Sequence, residues 1–91
     1  MESDSLRARI EHEIVELRAL YPQITSCHPA MVGWKEGGER HYSLHLDIRA
    51  PQHQLIVSGP ARDDNYAALQ AGFAAARERM KLVAPRLMRE V

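Results

Sequence analysis

The side chains best suited to nucleophilic or metal chemistry in this chain are Cys27, with His28 beside it, and the histidines His41 and His45. A thiolate activated by imidazole is a nucleophile. If Cys27 shares a side with Met31, however, it faces a core, and a buried thiol is inert. His41 and His45 are four residues apart in an alternating stretch, too far for one tetrahedral metal without a ligand from a neighbouring strand. Solvated strand histidines are the simpler reading, with a pH-sensitive or phosphate-touching surface as the alternative. No glycine-rich phosphate loop follows a strand, no His-Glu-x-x-His stands on a helix, and no acids are spaced as a paired-carboxylate site. The expectation is therefore a protein that is not an enzyme, with no catalytic or metal-binding residues and no cofactor.

Cations offer a different chemistry. Arg77, Arg79, Lys81, Arg86 and Arg89 gather near the C-terminus, with Glu78 and Glu90 as the acids among them. Such a ridge can follow an RNA backbone and give salt-dependent affinity, or simply satisfy the negative end of a helix dipole. Trp34, with Lys35 and Arg40 nearby, is a candidate stacking contact for a base, although an aromatic at a strand end also caps a hydrophobic layer. The whole chain balances twelve basic against twelve acidic residues. It is not the cationic object that non-specific nucleic-acid binders usually are, so any attraction must be local.

The elements that hold these residues can be read from spacing. Leu6, Ile10, Ile14, Leu17 and Tyr21 recur at helical intervals after possible caps at Ser3, Asp4 or Ser5, predicting an amphipathic helix over Ser5 to Leu20 that Pro22 stops. Gln23 to Trp34 suggests a strand near an edge or with an irregularity, because Pro29 cannot donate to a neighbour. Lys35 to Arg40, with two glycines, has the composition of a hairpin turn. His41 to Ala50 alternates without error, with Tyr42, Leu44, Leu46, Ile48 and Ala50 on one face. Gln54 to Ser58 is a third, shorter strand. Asp64 to Met80 is a second helix, capped by Asp63, Asp64 or Asn65, with Tyr66, Leu69, Phe73, Ala76 and Met80 along its buried stripe; Pro85 should end or kink it near Ala84. Gly72 in that helix resists explanation, since it costs about 1 kcal/mol relative to alanine.

Ninety-one residues make one domain, 1–91, with residues 1–4 and 86–91 expected to fray. The order helix, strand, strand, strand, helix predicts an α+β two-layer sandwich: an antiparallel sheet with both helices on one face. The single cysteine fits a reducing compartment. No apolar run approaches a membrane span and MESDS is unlike a signal peptide, so a cytoplasmic protein without membrane partners is expected.

ITSCH at Ile24 to His28, LDIRAP at Leu46 to Pro51, QLIVS at Gln54 to Ser58 and NYAALQAGFAAARERMK at Asn65 to Lys81 together resemble the ribosome hibernation-promoting factor family, which includes ribosome-associated inhibitor A. The resemblance runs from about Ile14 to Val83. It implies binding to the small ribosomal subunit in the channel used by messenger and transfer RNAs, through basic side chains of both helices, to silence translation under stress. Arg77, Arg79 and Lys81 stand where the family's second helix is basic, and Arg18 falls near the end of the first. The implied RNA-binding set, with the helix and hairpin cations added, is Arg7, Arg18, Lys35, Arg40, Arg77, Arg79, Lys81 and Arg86. The resemblance also implies that Cys27, Pro29 and Met31 face inward, and His28, Ala30, Val32 and Trp34 outward.

Two departures shape a second expectation. The family begins with a strand before its first helix, whereas MESDS precedes the helix here, and the C-terminal dimerisation domain of the family's long members has no counterpart in this sequence. The edge of Gln23 to Trp34 would then be unpaired, and an unpaired edge invites another chain. The alternative function is accordingly a protein-interaction module, a homodimer through that edge, in which neutral net charge has cost the fold its RNA.

Overall fold

A computed structural model describes the backbone of residues 2–89 and the side chains of residues 5–85. The elements are α1 (Glu2–Leu20), β1 (Ser26–Glu36), β2 (Glu39–Ala50), β3 (His53–Ser58) and α2 (Asn65–Arg89). The strands form one antiparallel sheet in the order β1-β2-β3, and both helices cover its apolar face, as the two-layer reading requires. Both helices extend further than the spacing suggests, α1 beginning at Glu2 and α2 reaching Arg89, where frayed ends were expected. The outermost of those positions, 1, 90 and 91, lie outside the described residues.

The core is centred on β2 and α2. Leu44, Leu46 and Ile48 project from one face of β2 into a layer with Val57, Leu69, Phe73, Ala76 and Met80, and Leu17 joins them from α1. Gly72 finds its reason here. A Cβ at Gly72 would lie 2.7 Å from the Leu44 Cβ, and one at Gly59 would lie 2.7 Å from the Gly72 Cα. The backbone of α2 therefore rests directly on the sheet, and that close approach offsets the helix propensity lost at Gly72. Asp64 is the N-cap: its Oδ1 accepts the Ala67 amide at 2.9 Å.

Two expectations about α2 are corrected. Tyr66 is not part of the buried stripe but 40% exposed, because it stands at the margin of a buried face that runs through Ala68, Leu69, Gly72, Phe73, Ala76 and Met80. Pro85 does not end the helix, which continues for another four residues to Arg89. The carbonyl that loses its donor to Pro85 is that of Lys81, an exposed residue, so water can satisfy it.

β1 is an edge strand. Tyr42 and Leu44 turn their main-chain groups toward the β3 side, bonding Arg62 and Gly59. By antiparallel alternation, the groups of β1 that face away from β2 belong to Cys27, Pro29, Met31, Gly33 and Lys35. Pro29 thus sits where no ladder bond is lost. The same alternation places the side chains of Cys27 and Met31 among the half-buried residues packed on the core. Pro29 is exposed, lining with Leu6, Ile10 and Ile14 an open groove of about 520 Å³ between α1 and β1.

Candidate nucleic-acid interface

The turn between β1 and β2 is shorter than Lys35 to Arg40. It consists of Gly37 and Gly38 alone, with φ of 60° and 81°, the left-handed pair that a two-residue hairpin with the twist of its strands requires. Lys35 and Arg40 are consequently ladder residues, directly opposite one another, as are Glu36 and Glu39 one step on. Successive residues alternate faces. Both cations therefore share the helix-side face and both acids the open face. Like charges directly opposite are mildly destabilising in a sheet, so neither pair contributes to the stability of the hairpin end.

Gly33 and Tyr42 form the next rung on the same face as Lys35 and Arg40, two steps back, with Trp34 and His41 between them. The absent Cβ of Gly33 would lie 3.2 Å from two ring carbons of Tyr42, so the ring rests against bare backbone. On its other side Tyr42 exchanges main-chain bonds of 2.7 and 2.8 Å with Arg62. The chain passes from the Gly59–Leu44 bond to the Tyr42–Arg62 rung with one extra residue, a bulge that returns it to β2 before α2 begins. Gly33, Trp34, Lys35, Arg40 and Tyr42 line a concavity of about 300 Å³. Trp34 is 38% exposed, its ring centroid 5.7 Å from that of His41 at a tilt of 31°.

The cations of α2 have different surroundings. Arg77 donates to Glu13 Oε1 of α1 at 3.3 Å, and that carboxylate side chain is only 15% exposed. Lys81 bonds Glu78 at 3.1 Å, both being well exposed. Arg79 is exposed and lies about 200° round the helix from Arg77 at 3.6 residues per turn, so the three do not form a single ridge. Arg18 donates to the Thr25 carbonyl at 3.3 Å. Arg7 is exposed on the rim of the α1–β1 groove. The side chain of Arg86 lies outside the described residues.

The two basic regions occupy opposite ends of the sheet. The hairpin end adjoins Arg62, just before α2 starts, whereas Met80 packs with Ile48, Ala50 and Leu55 at the far end of β2. Arg62 was not among the residues singled out from the sequence. It lies in the short run PARDD, just before two acids, and nothing in local spacing reveals that the chain rejoins β2 there.

Cys27 and Asp47 are displaced from their ordinary values by their surroundings. Burial pushes the Cys27 thiol up from 9.0 to about 11, against the opposing charge of Arg18 and with Asp47 adding to the rise, so the thiol is protonated at neutral pH. Asp47, on the open face, is held below its ordinary value by hydrogen bonds from Gln54 at 3.1 Å and Arg49 at 3.2 Å. His45 Nδ1 is 3.1 Å from Ser58 Oγ, and His28 is the rung partner of Asp47. Among the described residues, no three His, Cys, Asp or Glu side chains are grouped to hold a metal ion, and no helix is long and apolar enough to cross a membrane. No protein family, curated protein or solved structure matches the chain.

Proposed function

We propose that the protein is an RNA-binding, ribosome-associated factor of the hibernation type, acting in the cytoplasm by occupying the small subunit and not by catalysis. The observation that carries this reading is the pair Lys35 and Arg40, facing each other across the hairpin with no ion-pair partner among the described residues. Charges left in this state are available to phosphates, and their attraction does not first have to displace an internal carboxylate. The residue pattern shared with hibernation factors supports the ribosome as the source of that RNA. Arg7 and Arg79, exposed and likewise without an ion-pair partner among the described residues, extend the set. Arg77 and Lys81 would have to exchange Glu13 and Glu78 for phosphate.

Co-sedimentation with small ribosomal subunits at graded salt tests the proposal. Binding that weakens steadily as salt rises is the expected result; absence from the pellet at every salt would refute it.

A second reading is favoured by one observation, the free edge of β1. Eleven residues of strand, Ser26–Glu36, carry an unpaired row of main-chain groups beside the groove under α1. A second copy of the chain pairing along that edge would make the protein a homodimeric interaction module. Sedimentation equilibrium at high concentration separates the two: a monomer removes the module, and a dimer that ignores ribosomes replaces the first reading with it.

A further inference from the structure

We infer that the helix-side surface of the hairpin end takes an unpaired nucleotide of RNA, its base against the Tyr42 ring and its flanking phosphates among Lys35, Arg40 and Arg62. This rests on the RNA reading above and names the form of RNA that this site accepts.

Three independent features of the fold converge on that surface. The two-glycine turn sets the register that puts Lys35 opposite Arg40. The bulge after β3 brings Arg62 alongside Tyr42, two rungs from theirs and on the same face, with its guanidinium bonded to the neighbouring Ala61 carbonyl at 2.8 Å and to nothing else among the described residues. Gly33 leaves room for the ring to lie against the strand, where it forms a wall of the concavity. Cations thus flank an aromatic surface from β1, from β2 and from the segment before α2. The Tyr42 hydroxyl has no hydrogen-bond partner among the described residues, which leaves it free for a base edge. At about 300 Å³ the hollow is at the small end of ligand pockets.

A duplex would meet this surface with its phosphates only, because its bases are stacked on one another. An unpaired nucleotide can use both the ring and the charges, and base stacking on an aromatic side chain is tolerant of sequence. Trp34, the only tryptophan in the chain, belongs to the strand that lines the hollow, but its ring stands with His41 on the open face of the sheet, away from the Tyr42 ring.

Fluorescence anisotropy with labelled hexauridylate and with a short RNA duplex tests the inference. Tyr42→Leu should weaken hexauridylate about tenfold while leaving its salt dependence and the duplex affinity unchanged. Tyr42→Phe should behave as the parent. Arg62→Glu should lower the steepness of the salt dependence by about one contact. Should Tyr42→Leu melt, Gly33→Ala repeats the test, its new Cβ pressing on the ring from 3.2 Å. Unchanged hexauridylate affinity in folded Tyr42→Leu or Gly33→Ala, with loss in Lys35→Glu, would overturn the stacking site while sparing RNA binding. Failure of the parent protein to bind either RNA would remove both. A poly-glutamate peptide competing as well as hexauridylate would assign the cations to an acidic protein and overturn the inference.

Discussion

The two basic regions of this molecule differ in what stands beside their charges. On α2, Arg77 and Lys81 each have a carboxylate within 3.3 Å. At the hairpin end, cation faces cation and the nearby acids turn to the other side of the sheet. Within the more conspicuous basic run of the sequence, Arg77 and Lys81 are therefore already engaged internally, while Arg79 is not. Counting basic residues along a segment measures charge; it does not measure charge available to a partner.

Several substitutions sharpen or break that contrast. The largest effect is expected from Lys35→Glu with Arg40→Glu, which should weaken RNA binding on the order of a hundredfold at low salt and flatten its salt dependence by about two contacts. Its fold should survive, since each reversed charge gains an acid-free surface and buries nothing. Arg77→Ala should act mainly on stability, because it strips the half-buried Glu13 of its nearest partner and leaves only Arg9 at 3.8 Å. A loss of about 1 kcal/mol, or roughly 5 °C in melting temperature, is expected, with RNA affinity changed less than about threefold. Lys81→Ala should shift stability by under about 0.5 kcal/mol, as exposed pairs generally do. A larger RNA effect from Arg77 or Lys81 than from the hairpin would reverse the comparison.

The open face of the sheet has its own pH signature. The hydrogen bonds from Gln54 and Arg49 lower the Asp47 pKa in the folded state. Their stabilisation is therefore complete above the ordinary value of 3.8 and is lost as pH falls through the depressed folded value. Denaturation midpoints measured below pH 4 should depend less steeply on pH in Asp47→Asn than in the parent.

Much of this architecture was legible in the sequence, and the exceptions share a cause. Strict alternation from Tyr42 to Ala50 identified the central strand and its buried face, and helical spacing identified both covering elements, because each signal is local. Gly72 was not explicable locally, since its reason is the Leu44 side chain on another element. Tyr66 matched the buried spacing but stands at the margin of the buried face, which turns toward Ala68 and Gly72. Pro85 was expected to end or kink the helix, and its cost could not be judged without knowing that the orphaned carbonyl belongs to an exposed residue, Lys81. For the candidate site, Trp34, Lys35 and Arg40 were visible as a basic, aromatic hairpin, but not that the turn is only two residues long and so sets the cations opposite each other. Arg62 and the carboxylates beside Arg77 depend on contacts between elements far apart in sequence. Cys27 shows the reverse case. Its inward placement was expected, and its raised pKa implies roughly a hundredfold less thiolate than an ordinary cysteine has near pH 8. Alkylation by iodoacetamide should be correspondingly slow in the folded protein and recover on unfolding.

Pelleting with small ribosomal subunits across a salt series, for the parent, for Lys35→Glu with Arg40→Glu, and for Arg77→Glu with Lys81→Glu, tests the account most directly. The parent and the α2 variant should co-sediment at low salt and release as salt rises, with the hairpin variant left in the supernatant. Retention of the hairpin variant in the pellet while the α2 variant is lost would contradict the assignment of RNA binding to the hairpin end.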